Sequence, residues 1–174
     1  MTRVELRISG LGGQGVVLAG QVLGRAAVYD GKSVVQTQSY GAEARGSAAK
    51  SEVILSNEKI GFPHVRKCDI LVVMSQSALD VHLKDLKEKG TLLIDEHLVK
   101  KIPNVRAKIY KVPTTDVAQS ELKSKMYANI IMLGALAKKT KIVSREALEK
   151  AIASTVRPDT VETNLNALKL GFKL

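Results

Sequence analysis

Ile8-Ser9-Gly10-Leu11-Gly12-Gly13-Gln14-Gly15 follows an alternating stretch and precedes a long helix-permitting one. A glycine turn in that place joins a strand to a helix, and it directs backbone N–H groups and a helix N-terminus at a negative group, usually a phosphate. Gly10, Gly12 and Gly15 fit GxGxxG, with Gly13 as a fourth glycine. This strand–turn–helix context restricts the chain to an α/β architecture with its ligand edge at the carboxyl ends of the strands.

A dinucleotide site would also need an acidic residue at the tip of the second strand for the ribose hydroxyls. That strand reads Ser33-Val34-Val35-Gln36-Thr37-Gln38-Ser39-Tyr40 and contains no carboxylate, so the turn suits a phosphate better than NAD. An independent flavin or nicotinamide oxidoreductase is disfavoured on the same ground.

Strand signals recur at residues 3–9, 33–40, 50–56, 69–74, 91–94 and 105–112, with helical segments between them. The runs Ile70–Met74 and Leu92–Ile94 are continuously apolar, as in central parallel strands covered on both faces. Residues 50–56 alternate and follow a short loop, which predicts antiparallel pairing with residues 33–40. The expected helices cover residues 14–29, then an amphipathic 76–89 stopped by Gly90, then 126–139, 145–154 with Ser144 as its N-cap, and 159–170 stopped by Gly171. The expected fold is a single three-layer α/β/α domain over residues 1–174, with a mixed, mostly parallel, Rossmann-like sheet.

At 174 residues and 45% hydrophobic composition, the chain can bury a full core. No apolar run reaches the length of a membrane span, and residues 1–5 lack the apolar core of a signal peptide, so a cytoplasmic location is expected. The lone Cys68 and the three histidines have no metal-like spacing, and Cys68 is expected to be structural. The net charge of +10 is spread over lysines on helix faces, while aromatic residues are only 3%. Without a stacking platform, nucleic acid is not the expected partner; a solvated surface, or the steering of an acidic ligand or partner, accounts for the charge.

A second loop has unusual chemistry. Tyr40-Gly41-Ala42-Glu43-Ala44-Arg45-Gly46-Ser47 leaves the carboxyl end of its strand, as the glycine turn does, so both loops are expected at one edge. Asn129 stands in an otherwise apolar helical segment, where a buried amide needs partners; a tie to a loop backbone is preferred over a place in the ligand crevice.

Gly10–Gly20 together with Gln36–Gly46 resembles the gamma subunit of 2-oxoacid:ferredoxin oxidoreductases, above all the 2-oxoglutarate type. Asp69–Gln76, Asn129–Ala135 and Asn164–Leu168 extend the likeness along nearly the whole chain. Two positions depart from the family pattern: Ala42 stands where proline is usual, and Ser47 where a glycine is usual. The resemblance implies a complex that oxidatively decarboxylates a 2-oxoacid, forms its acyl-CoA and passes electrons to ferredoxin. Thiamine diphosphate, magnesium and Fe–S clusters would belong to alpha, beta and delta partner subunits. This chain would be a structural and coenzyme A-handling subunit, inactive alone, with no catalytic or metal-ligating residue and a tendency to self-associate without its partners. The expected contacts to coenzyme A are Gly10, Gly12, Gly13, Gln14, Gly15 and Tyr40, with Arg45 on a phosphate and Glu43 orienting Arg45 or a backbone N–H rather than acting as an acid or base. The alternative is a free-standing nucleotide- or phosphate-binding regulatory module. If the chain's own sheet covers Val17-Leu18-Ala19 with Gly20 and Gly24, partners must dock elsewhere.

Overall fold

A computed structural model of the chain describes residues 3–40 and 48–174. One six-stranded sheet is built from β1 (Arg3–Leu11), β2 (Ser33–Tyr40), β3 (Ala48–Ser56), β4 (Cys68–Val73), β5 (Leu86–Asp95) and β6 (Lys108–Val112). Its spatial order is β2-β3-β1-β4-β5-β6. β1, β4, β5 and β6 are mutually parallel, while β3 runs antiparallel to both β2 and β1. The hairpin of β2 and β3 is the expected one, and β3 is inserted between β2 and β1.

Helices α1 (Val16–Tyr29), α3 (Thr114–Leu122), α4 (Ala128–Thr140), α5 (Arg145–Thr155) and α6 (Val161–Lys173) contribute to the larger apolar cluster, on the sheet face to which Leu6 and Ile8 belong. The other face is thinly covered. The seven-residue α2 (Gln76–His82) packs there with Val65, Val99 and Ile102 from the connecting segments.

Three sequence expectations are corrected. The helix expected at residues 76–89 ends at His82, because a 3₁₀ turn (Leu83–Asp85) leads directly into β5. β5 pairs Leu86 with Cys68 and Thr91 with Ile70, so residues 87–90 bulge from the ladder. Gly90 belongs to this bulge and stops no helix; a side chain there would press on the carbonyls of Lys87 and Asp69. Gly171 likewise lies inside α6, where it lets α4 approach at Gly134. Finally, α3 was not expected. The fully buried Asp95 carboxylate, at the end of β5, accepts the Thr115 N–H (2.9 Å) and both the Thr114 and Thr115 hydroxyls, fixing the first turn of an otherwise polar helix.

Alternation on β1 puts Arg7 on the thin face, 3% exposed. Its guanidinium donates to Glu52 (2.8 Å), Asp85 (2.5 Å) and the Val65 carbonyl (3.2 Å), and lies 3.3 Å from His82 Nδ1. Beside it Cys68 is fully buried, and burial is the main cause that pushes its thiol up to about 11, so it is protonated at neutral pH.

Candidate functional site

β1 ends in Gly10-Leu11, and the chain turns through Gly12, Gly13 and Gln14 into α1. Gly15 is the N-cap with φ 71°, and among the described residues no side chain caps the helix. The first-turn N–H groups of α1 therefore have no intrahelical partner, which is the geometry an anion requires. Gly13, at φ 94°, has open space around it among the described residues. Gly12 and Gly13 are exposed.

Gln14 does a different job from the expected one. Its N–H donates to the Leu11 carbonyl (3.1 Å), so it is not directed at a ligand. Its side chain accepts from Leu11 N–H (2.6 Å) and donates to the Met74 carbonyl (2.7 Å), tying the turn to the end of β4. Gly10 is buried within β1, where a side chain would collide with the Gln14 amide. Gly10 and Gln14 thus shape the turn, and Gly12 and Gly13 present it.

Asn129, in the first turn of α4, closes the turn from the far side. Its Nδ2 donates to the Gly15 carbonyl (3.0 Å), and its Oδ1 accepts from Ile130 N–H (2.9 Å). The amide is the tie to a loop backbone that the sequence favoured. Asn129→Ala removes a partner from each of these two groups and is expected to cost about 1–2 kcal/mol. Urea unfolding measures it; an unchanged midpoint would mean that solvent replaces the tie.

β1 continues toward β2 and β3 on one side, while β4 leads outward to β5 and β6 on the other. The gap between β1 and β4 is therefore the point at which strand order reverses, and ligands of open α/β sheets bind there. A cavity of about 270 Å³ opens at that point, lined by Gly13, Gln14, Met74, Leu98, Thr115, Lys125, Met126 and Ala128. Lys125 is exposed and, among the described residues, is the one cation of this lining; Met126 is 78% exposed. A glycine of the turn, an ammonium and apolar walls can hold a phosphate with an apolar chain behind it.

Tyr40 ends β2 at the same edge, because it and Gly10 both pair with Ala49 from opposite sides of β3. It is exposed and does not line the cavity. Glu43 and Arg45 lie outside the described residues. Met74, Leu98, Thr115, Lys125 and Met126 escaped sequence reading, although Ser124-Lys125 marks a helix entry. The Ser124 hydroxyl does accept from Met126 N–H (3.4 Å).

Residues 5–174 match the family described as pyruvate ferredoxin/flavodoxin oxidoreductase. The chain is 54% identical to 2-oxoglutarate synthase subunit KorC of Methanocaldococcus jannaschii, over 99% of this chain and 94% of that one. It is similar in structure to a keto/oxoacid ferredoxin oxidoreductase gamma subunit from Geobacter sulfurreducens, with a TM-score of 0.87, 44% identity and coverage of 98% and 96%. A 2-oxoglutarate:ferredoxin oxidoreductase from Magnetococcus marinus, solved with 2-oxoglutarate, coenzyme A and succinyl-CoA, shares the fold at TM-score 0.87 and 22% identity. The match there covers 99% of this chain and 31% of that one.

Proposed function

The chain belongs to the pyruvate ferredoxin/flavodoxin oxidoreductase family, and we propose that residues 1–174 act as the gamma subunit of a 2-oxoglutarate:ferredoxin oxidoreductase. In this reading the chain operates in the cytoplasm with alpha, beta and delta subunits, and ferredoxin takes the electrons. Thiamine diphosphate, magnesium and Fe–S clusters belong to the partners and supply the decarboxylation and electron-transfer chemistry there. The observation that carries the reading is the switch-point cavity, in a chain 54% identical to a 2-oxoglutarate synthase subunit.

This chain's part is to hold coenzyme A. The N–H groups of Gly12 and Gly13, at the N-terminus of α1, receive a phosphate of the coenzyme. Lys125 pairs with the same charge from across the cavity, and Met74, Leu98 and Met126 supply apolar contact to the pantetheine arm. The net charge of +10 raises the local concentration of a polyanion. Arg45, with Glu43 orienting it, adds a charge-assisted contact from the second loop, and Tyr40 stands at the base of that loop.

Among the described residues the Lys125 side chain makes no hydrogen bond or ion pair, so Lys125→Gln in the reconstituted complex tests binding rather than folding. The KM for coenzyme A is expected to rise about 10-fold, the size of one charge-assisted contact of about 1.4 kcal/mol, with kcat unchanged. An unchanged KM for coenzyme A overturns the assignment.

A further inference from the structure

We propose that the open edge of β2 is the surface on which two copies of this chain join, antiparallel and about a two-fold axis, into one continuous sheet. Gly20 of α1, one candidate for partner contact, is closed off by the chain itself, while Gly24 lines a groove between α1 and β2. A side chain at Gly20 would strike Ser51, and one at Gly24 would touch Val34. The two edge strands are then the remaining regular elements with open hydrogen-bonding sides, and they differ sharply.

β6 is five residues long and carries Lys108 and Lys111, with Lys108 and Lys139 both set over the Tyr110 ring. Lysines on an edge strand oppose pairing with another chain. β2 is eight residues long, pairs with β3 in unbroken register from Ser33 to Tyr40, and among the described residues has no neighbour on its other side. It contains no charged residue and no proline. In a chain of net charge +10, most surfaces repel a second copy. The β2 edge is neutral, so it can meet itself without placing like charges opposite one another. Self-pairing is also what an isologous two-fold interface requires.

The surroundings of β2 are made for a neighbour. Val28 is 59% exposed and Tyr29 52%, both at the end of α1, and Tyr40 at the tip of β2 is 63% exposed. Between α1 and β2 lies a groove of about 420 Å³ whose lining includes Gln21, Arg25, Val28, Val34, Gln36 and Thr155, with the Arg25 guanidinium held on the Ser154 carbonyl (2.6 Å). The Thr155 hydroxyl is buried there without a hydrogen-bond partner among the described residues. A two-fold axis normal to the sheet places both α1 helices on the same face, flanking the seam. Side chains of the second copy then fill the groove.

Sedimentation equilibrium of the full chain, from micromolar to millimolar concentration, tests this. The wild type is expected to associate to twice 18.8 kDa. Val28→Lys with Gln38→Lys, at two exposed positions flanking the seam, is expected to raise the dimer dissociation constant more than ~10-fold. Its far-UV circular dichroism should match the wild type, and the neutral Gln38→Thr should still dimerise. A wild-type chain that is monomeric throughout, or a double-lysine variant that dimerises as the wild type does, overturns the proposal.

Discussion

Alanine at Gly171 is expected to lower the thermal midpoint by about 6–12 °C, corresponding to a loss of about 3 kcal/mol. The added methyl group falls on the Ile131 carbonyl and 2.9 Å from the Gly134 Cα. These are backbone atoms of α4, so no side-chain rotation relieves the overlap and the two helices must separate. Around them Ile131, Ala167 and Leu168 are fully buried, so separation opens the core. Gly134→Ala is expected to behave similarly, since its methyl group meets the Leu168 carbonyl. Gly24 provides the contrast within the same molecule. Its added methyl group would sit 3.5 Å from Val34, an ordinary contact, and alanine is the better helix former by about 1 kcal/mol. Gly24→Ala is therefore expected to be neutral or stabilising. Calorimetric melting of the three variants decides the matter, and a Gly171→Ala protein as stable as the wild type would show that α4 and α6 can part without cost.

The same glycine shows where sequence reading stops. A glycine after an apolar-periodic stretch predicts a helix end, and both Gly90 and Gly171 sit where such ends belong. Each instead allows a close backbone approach by a segment distant in sequence, which no local pattern records. Apolar runs and alternation did give the six strands and the pairing of β2 with β3, since those depend on local periodicity and a short connection. The insertion of β3 beside β1 depends on long-range pairing and left no local trace. α3 was hidden for a related reason: its polar sequence is held by the Asp95 carboxylate from another element. At the site, the glycine turn was visible because its conformations demand glycine, and Asn129 was visible as an amide among apolar residues. Lys125, Thr115 and Met74 come from separate segments that only the fold brings to one cavity.

Removing Arg7 is expected to have the other large effect. Arg7→Met leaves Asp85, the Val65 carbonyl and His82 Nδ1 without their shared donor, while Glu52 keeps Lys50 at 3.1 Å. The expected cost is about 3 kcal/mol, at the low end for a broken buried ion pair because the Asp85 side chain is 25% exposed. The effect should also depend on pH. Burial first, then the charges of Arg7 and Lys50, hold His82 below its ordinary value. Below about pH 6.5 the unfolded chain therefore takes up a proton that the folded chain resists, and stability falls with acidification. Burial alone would raise Asp85, but the hydrogen bond and charge of Arg7, with Lys67 and His82, outweigh it and hold the carboxyl below its usual range. That adds a second loss on the acid side of about pH 4. Without Arg7, His82 loses a repelling cation and keeps the attraction of Asp85 and Glu52, so the loss between about pH 7.5 and about pH 5.5 should shrink. Urea midpoints of wild type and Arg7→Met at these two pH values measure both effects. Equal pH slopes would show that Arg7 does not set the protonation of His82. Replacing Arg7, Glu52 and Asp85 together by apolar residues of similar size should restore much of the stability, because then no buried charge is left unpaired.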